Sequence, residues 1–272
     1  MGLFGFRREQ REVSFSQPTA GEEMIRFEGL FKAFGAKKVY EGLDLAVRAG
    51  ETLTVIGGSG TGKSVLLKCL IGLMQPDEGS ITFEGVKLET LEEADFLAVR
   101  RKVAMVFQGA ALFDSLSVGE NIAYPLREHF PKLSEDEVTE RVAHKLSLVN
   151  LPGIEAMRPS DLSGGMRKRV GLARAIATDP EVILWDEPTT GLDPISTRVI
   201  DELINSMKDK LGCTSIVVTH DMESAFNVSD RIAMLANRRI VQVGTVDEMR
   251  ASKLKEVRAF FEARVGPRRR TS

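Results

Sequence analysis

Eight consecutive residues have the types and spacing that suit phosphate binding: Gly57-Gly58-Ser59-Gly60-Thr61-Gly62-Lys63-Ser64. They match G-x-x-x-x-G-K-[ST], with the apolar run Thr52–Ile56 before them and the helical pattern Val65–Ile71 after them. Glycines let successive backbone N–H groups point at phosphate oxygens, and the helix amino terminus adds partial positive charge. We expect Lys63 to reach the β- and γ-phosphates of a nucleotide and Ser64 to bind Mg²⁺. The alternative is a flexible Gly/Ser loop, which this context disfavours.

A pair of carboxylates lies directly after a second apolar run. Val182–Trp185 is continuously apolar and is followed by Asp186 and Glu187. In open α/β sheets, ligands bind at the carboxyl ends of the strands. Asp186 would complete the Mg²⁺ coordination begun by Ser64, and Glu187 could act as a general base towards the attacking water. A strand-end turn alone would also explain the pair, but the phosphate loop in the same chain favours the nucleotide role.

A second glycine motif, Ser163-Gly164-Gly165, opens a predicted helix. Ser163 is a natural N-cap, and the glycines let an anion approach the helix start. The chain would therefore carry two helix amino termini that can bind phosphate. The alternative is an ordinary capped helix, which Ser163 alone would satisfy, so packing does not require the two glycines.

The elements that must position these residues alternate between short apolar runs and helical patterns, which indicates the α/β class. Ile216–Val218, like Val182–Trp185, is continuously apolar and suits a parallel strand covered on both faces. The strand candidates are Met24–Phe31, Val39–Val47, Thr52–Ile56, Ser80–Phe83, Val103–Phe107, Val182–Trp185, Ser215–Thr219, Arg231–Leu235 and Ile240–Val243, the last two forming a hairpin.

The predicted organisation has three parts. Residues 1–23 are polar and aperiodic, which predicts a flexible amino-terminal tail. Residues 24–250 form the main domain, and within it residues 108 to about 161 contain helical patterns without a clear strand, which predicts an inserted helical subdomain. Residues 251–272 would contain a helix and a basic tail, because four apolar residues recur there at helical spacing.

Composition excludes several classes of protein. The 272 residues carry a net charge of −2, which favours neither a nucleic-acid binder nor an acidic tail protein. No apolar run approaches the roughly 18–20 residues that span a bilayer. Cys69 and Cys213 lie in or beside apolar segments and are expected to be buried thiols. The basic run Arg167-Lys168-Arg169 is interpreted as a solvated helix face rather than a nucleic-acid contact.

The order of these motifs resembles that of ABC-family ATPases. The phosphate loop, Leu162-Ser163-Gly164-Gly165 and Leu184-Trp185-Asp186-Glu187-Pro188 follow one another, with Ser163 and Asp186 23 residues apart as in that family. The resemblance covers roughly residues 24–250. It implies a P-loop NTPase (RecA-like) core with an antiparallel β subdomain and an inserted α-helical subdomain, using ATP and Mg²⁺.

The same resemblance implies roles for four further residues. Gln108 is similar to the Q-loop glutamine, which contacts Mg²⁺ or the attacking water and senses the permease. His220 resembles the switch histidine that contacts the γ-phosphate, and Asp193 belongs to a segment similar to the D-loop. Phe34 lies where the family places an aromatic residue that stacks on adenine. Phe34 as a plain core residue and His220 as a structural histidine at a strand end are the alternatives.

The family also implies a head-to-tail dimer. Ser163, Gly164 and Gly165 of one copy would close on the ATP held by the phosphate loop of the second copy. Binding a γ-phosphate between two sets of backbone donors would couple ATP binding to closure. Met166 departs from the glutamine that most members have, which puts a contact near the ribose in doubt.

The inserted subdomain resembles the branch that serves Mce/Mla-type lipid transport. The resemblance rests on 108–113, 122–129, Met166 and the tail 256–262. It implies an integral permease, a periplasmic Mce-domain lipid carrier, an optional STAS-domain companion, and a location at the cytoplasmic face of the inner membrane. The permease would dock near Gln108–Phe113. The tail helix would either reach the neighbouring ATPase or cap its own domain.

Two other functions compete with this interpretation. An importer for a polar amino acid or metal would share every catalytic motif. A non-transport ABC ATPase of DNA repair or translation would carry a long coiled coil or two ATPase halves, and the sequence has neither.

Overall fold

The computed structural model describes residues 13–265. Within that range the chain forms ten β-strands, in two sheets, and α-helices. Its strands are β1 (Glu23–Phe34), β2 (Lys37–Arg48), β3 (Thr52–Ile56), β4 (Glu78–Phe83), β5 (Val86–Lys87), β6 (Val103–Val106), β7 (Val182–Asp186), β8 (Thr214–Thr219), β9 (Arg231–Ala236) and β10 (Arg239–Gly244). Every strand expected from the apolar runs is present. β5 is additional, and β1 and β2 extend into polar sequence beyond their apolar segments.

The described range also contains nine α-helices. They are α1 (Lys63–Leu70), α2 (Phe96–Lys102), α3 (Val118–His129), α4 (Glu135–Leu148), α5 (Gly164–Ala175), α6 (Pro194–Leu211), α7 (Met222–Val228), α8 (Val246–Arg250) and α9 (Lys255–Val265). Short 3₁₀ turns occupy Leu88–Thr90, Pro159–Asp161 and Ile176–Thr178.

A six-stranded sheet forms the centre, in the order β10-β9-β3-β8-β7-β6. Its neighbours from β9 to β6 pair in parallel, and only β10 runs antiparallel, as the hairpin partner of β9. All five residues of β7 are buried. Val182 and Leu184 pack into one apolar cluster and Ile183 and Trp185 into the other, so this strand is covered on both faces. The run Val182–Trp185 is continuously apolar because both faces of β7 are buried, as we expected.

A four-stranded antiparallel sheet, β2-β1-β4-β5, covers one face of the centre. Its apolar residues share a cluster with α1, α2 and alternate residues of β3, β7 and β8. The Tyr40 hydroxyl of β2 donates to the carbonyl oxygen of Gly62 at 2.6 Å. The antiparallel sheet therefore touches the phosphate loop directly. The expected α/β class and antiparallel β sheet are confirmed.

Between β6 and β7 the chain forms helices and turns without a strand. α3 and α4 each begin with a capping box, at Ser117 with Glu120 and at Ser134 with Glu137. Such boxes satisfy two backbone N–H groups that a helix start leaves without partners. The two helices pack with α5 and α6 on the second face of the central sheet. The boundaries 108–161 proposed for the insert agree with this arrangement, and they stay a prediction.

The two ends of the chain differ in part from expectation. Residues 1–12 and the basic tail 266–272 lie outside the described residues. Residues 13–22, expected within a flexible tail, contact the antiparallel sheet: the Ser16 amide donates to the Glu84 carbonyl at 2.9 Å, and the Phe15 and Phe83 ring centroids are 5.6 Å apart. α9 packs on its own domain through the fully buried Val257. The described contacts favour the capping role of α9.

Two smaller expectations concern burial. Cys69 and Cys213 are both buried, and that burial raises the pKa of each thiol to about 11. Within residues 13–265, no helix combines the length and the hydropathy that crossing a bilayer requires.

Candidate active site

The phosphate loop, residues 57–62, joins β3 to α1 and depends on glycine at both ends. A Cβ atom on Gly57 would lie 2.5 Å from the carbonyl oxygen of Leu235. Gly62 has φ 106°, in the left-handed region that L-residues avoid, and a Cβ there would lie 2.3 Å from the Val39 side chain. The loop can hold this shape only with glycine at these two positions.

Lys63 and Ser64 begin α1, and their side chains have different hydrogen-bond partners. The Lys63 ammonium donates to the carbonyl oxygens of Gly57 at 3.0 Å and Gly58 at 3.2 Å, so the lysine is buried along its own loop. The Ser64 hydroxyl donates to Oδ1 of Asp186 at 2.6 Å. The loop and the acidic end of β7, 122 residues apart in sequence, therefore meet through one hydrogen bond.

Glu187 follows β7 with φ 50°, an unusual conformation for a residue with a side chain. Its two carboxylate oxygens have different neighbours. Oε2 accepts from the Thr190 hydroxyl at 3.1 Å and lies 2.7 Å from Nδ1 of His220. Oε1 lies 3.6 Å from the Lys63 ammonium, beyond hydrogen-bond distance. Oε2 is thus fixed by its neighbours, and Oε1 faces the Lys63 ammonium.

These groups line a cavity of about 500 Å³. The expected residues that the cavity brings together are Phe34, Ser59, Gly60, Gly62, Lys63, Ser64, Gln108, Glu187 and His220. Phe34 is 46% exposed, with the Lys32 ammonium 5.5 Å from its ring centroid, so it is not a core residue. Thr61 stabilises the loop by donating to the Gly58 carbonyl at 2.9 Å. Asp186 reaches the site through Ser64.

The second glycine motif and Asp193 are not among the residues that line this cavity. Ser163 caps α5 by accepting from the Met166 amide at 3.2 Å, and it is exposed together with Gly164. Asp193 caps α6 by accepting from the Ile195 and Ser196 amides. Hydrogen bonds from Ser196 and Ile195 hold the pKa of Asp193 below its usual range. The Asp193 carboxylate is therefore occupied by its own helix.

The interpretation of Arg167-Lys168-Arg169 as a solvated face holds for Arg167, which is exposed, but not for Lys168 and Arg169. Lys168 is half-buried and donates to the carbonyl oxygens of Pro188 and Thr190, both at 2.7 Å. Arg169 donates to the carbonyl oxygens of Val149 and Asn150. Burial lowers the pKa of both cations. No local pattern of residues reveals these contacts, because they join α5 to turns about 20 residues away.

The donor set fits a Mg²⁺ ion only when phosphate contributes ligands. Ser64 and Asp186 supply two hard oxygen atoms side by side, which suits Mg²⁺. Among residues 13–265, no group of three or more His, Cys, Asp or Glu side chains could hold a metal ion alone. Mg²⁺ commonly takes one or two protein ligands and completes its shell with substrate phosphates and water. The two oxygen donors therefore fit a Mg²⁺ ion that also takes ligands from a phosphate group.

Comparison with known proteins places the chain among transport ATPases. Residues 40–190 match the family model described as ABC transporter. The chain is 40% identical over 258 residues to a "probable ribonucleotide transport ATP-binding protein mkl" of Mycobacterium bovis, covering 92% of this chain and 72% of that protein. It is 39% identical over 241 residues to the "intermembrane phospholipid transport system ATP-binding protein MlaF" of Haemophilus influenzae, covering 89% of this chain and 91% of that protein.

A solved structure gives the same fold. It is the ATP-binding cassette MJ0796 in a dimeric post-hydrolysis state bound to ADP and Pi. The TM-score is 0.76 at 30% sequence identity, and the match covers 82% of this chain and 99% of the cassette.

Proposed function

We propose, since this chain belongs to the ABC transporter family of ATPases, that its hydrolysis of ATP powers phospholipid transport between the inner and outer membranes. The chain is an ATP-binding ATPase subunit with a P-loop NTPase fold. The proposal concerns the cargo, the partners and the role of each site residue. The observation that carries it is one cavity lined by the phosphate loop and Glu187, with Asp186 joined to that loop through the Ser64 hydroxyl.

The site residues divide between binding and chemistry. The backbone of Gly57–Gly62 and the Lys63 ammonium would bind the β- and γ-phosphates, and Phe34 would stack on adenine at the cavity mouth. Ser64 and Asp186, with Gln108 nearby, would hold Mg²⁺. When bound, that ion would neutralise charge that develops on the phosphate oxygens.

Glu187 would activate the attacking water. Because Oε2 is occupied by Thr190 and His220, we assign the proton acceptor role to Oε1, which faces Lys63 at 3.6 Å. A water between Oε1 and the γ-phosphate would be within reach of both. His220 would hold the carboxylate in this orientation and contact the γ-phosphate.

A head-to-tail dimer would complete the site. Ser163 and Gly164 are exposed, and they offer a capped helix start to an anion of a second molecule. The MJ0796 cassette, which shares the fold, is dimeric. Two copies of this chain would bury two ATP molecules between the phosphate loop of one copy and Ser163–Gly165 of the other.

The phospholipid assignment rests on resemblance. The match to MlaF covers nearly the whole of both chains, and segments 108–113 and 122–129 resemble its branch. We therefore propose an integral permease, an Mce-domain lipid carrier and a STAS-domain companion as partners, at the cytoplasmic face of the inner membrane. A polar-solute importer is the second candidate, because the mkl relative is named for ribonucleotide transport at similar identity.

An exposed aromatic pair marks the proposed permease contact. Phe113 and Tyr124 are 43% and 47% exposed, and their ring centroids are 5.2 Å apart. Phe113 follows Gln108, which lines the nucleotide cavity, by five residues in the sequence. A permease helix packed here would sense the position of Gln108.

Affinity purification of the tagged chain from detergent-solubilised membranes tests this function. We expect a multispan permease and an Mce-domain protein to co-purify, and the Tyr124→Asp variant to lose both. Leu73→Asp is the matched control, since Leu73 is also exposed (53%) but lies outside the insert. Recovery of a permease with a polar-solute-binding protein, and no Mce-domain protein, would overturn the lipid assignment.

A further inference from the structure

Lys168 fixes the turn that follows the candidate general base. Its ammonium is 2.7 Å from the carbonyl oxygens of Pro188 and Thr190 and 3.5 Å from that of Glu187. A lysine ammonium has three N–H donors and no acceptor, so three carbonyl oxygens match its hydrogen-bonding capacity. Lys168 is half-buried among these carbonyls.

The turn that Lys168 holds determines where the Glu187 carboxylate lies. Glu187 has a left-handed backbone (φ 50°), which surrounding contacts must maintain. Thr190, whose carbonyl accepts from Lys168, also donates its hydroxyl to Oε2 of Glu187 at 3.1 Å. Movement of this turn would therefore displace both the carboxylate and one of the donors that orient it.

The amino-terminal end of α5, at Ser163, is the part of this helix that would face the nucleotide of the partner molecule. Lys168 lies five residues after Ser163, the N-cap of α5, which corresponds to about 7.5 Å along the helix axis. α5 is continuous from Gly164 to Ala175, so its start and Lys168 move together. Gly165 also packs closely on α6, where its Cβ would lie 3.1 Å from the Ser196 hydroxyl.

We infer that Lys168 is a positioning residue that couples the two nucleotide sites of the dimer. ATP held by the partner's phosphate loop would draw the Ser163 end of α5 into place. Lys168 would transmit that displacement to the turn 187–190 and so align Glu187 in its own site. This inference rests on the head-to-tail dimer proposed above.

The test compares Lys168→Met with Arg169→Met in steady-state ATPase assays. Both residues are half-buried cations of α5 that donate to carbonyl oxygens, but Arg169 binds the turn at Val149 and Asn150, away from Glu187. Misplacement of a reacting group by about 1 Å can cost about 100-fold, so we expect Lys168→Met to lower kcat at least about tenfold. KM for ATP should stay within about twofold, because the phosphate loop is untouched.

Cooperativity provides the second readout. Two coupled sites allow a Hill coefficient for ATP of up to about 2, and we expect Lys168→Met to reduce it to about 1. Lys168→Arg, which keeps the charge and the donors, should restore most of kcat and the cooperativity. Arg169→Met should leave both within about twofold of wild type, even where it lowers Tm.

Three outcomes overturn the inference: unchanged kcat and cooperativity in Lys168→Met, an equal loss of kcat in Arg169→Met, or a higher KM without a lower kcat. Glu187→Gln measured with ATP in the analytical ultracentrifuge separates this failure from failure of the dimer. A Glu187→Gln monomer would refute the dimer and the coupling together. A Glu187→Gln dimer alongside a fully cooperative Lys168→Met enzyme would refute the coupling alone.

Discussion

The chain contains two glycine-rich helix starts that differ in what surrounds them. At the phosphate loop, the protein itself requires the glycines, because a side chain on Gly57 or Gly62 would collide with Leu235 or Val39. At the second motif, Gly164 does not have positive φ, and its Cβ would meet only the Leu192 side chain, at 4.0 Å. The fold of this one chain would accept alanine at Gly164.

This difference indicates what each motif is for. The groups of the first motif contact neighbours within one molecule: Lys63 donates to the Gly57 carbonyl, and Ser64 donates to Asp186. The second is capped and exposed, and within the described residues it does not line the nucleotide cavity. The fold of a single molecule does not need glycine at position 164, so the missing side chain leaves space for a ligand. We propose that this space accommodates the phosphate bound by a second copy.

The largest effect is expected when the Lys63 ammonium is removed from the phosphate loop. Lys63→Ala should abolish measurable ATP binding in calorimetry with Mg²⁺-ATP. Truncating one partner of a buried charge pair costs about 2–5 kcal/mol, and each 1.4 kcal/mol is a factor of ten, so affinity should fall by about 30-fold to about 4,000-fold.

Lys68→Ala is the matched control for this loss. Lys68 lies on the same helix but does not line the cavity, so ATP affinity should stay near that of wild type. Wild-type affinity in Lys63→Ala, or an equal loss in Lys68→Ala, would contradict the assignment of the phosphate-binding lysine.

A smaller effect should separate the two sets of glycines. Gly62→Ala places a side chain at φ 106° against Val39, and the left-handed conformation alone costs about 1–2 kcal/mol. For a chain of this size we expect Tm to fall by about 4 °C or more. Gly164→Ala should leave Tm within about 1 °C, because alanine suits a helix position, yet it should lower ATPase activity.

Thermal unfolding without nucleotide checks this contrast, followed by ATPase assays on both variants. If Gly164→Ala loses as much stability as Gly62→Ala, the second motif is also required by its own fold. If Gly164→Ala keeps full activity, the open space at that helix start has no role in catalysis.

The sequence predicted the elements whose signal is local. The apolar runs located β3, β7 and β8 because these strands are buried on both faces. α4 (Glu135–Leu148) lies in the segment 108–161 where helical patterns were expected, and it begins with a capping box at Ser134. The phosphate loop was recognisable because all the residues that define it lie within one short stretch of sequence, 57–64.

What the sequence missed depends on contacts between distant segments. β1 continues to Phe34, and β2 begins already at Lys37. Backbone pairing between them continues where their side chains are polar. The short helices α2 and α8 have too few turns to show a period. The contact of Lys168 with the turn 187–190 requires α5 and β7 to be packed together, so no local pattern could reveal it.

Sedimentation of Glu187→Gln with and without Ser163→Arg tests most directly whether two copies form one site. With Mg²⁺-ATP, Glu187→Gln should form a dimer that returns to monomer when ATP is removed. Adding Ser163→Arg should keep ATP binding but prevent the dimer, because the new side chain fills the helix start that faces the partner's phosphate. A double variant that still dimerises, or a Glu187→Gln protein that stays monomeric with bound ATP, would contradict the account.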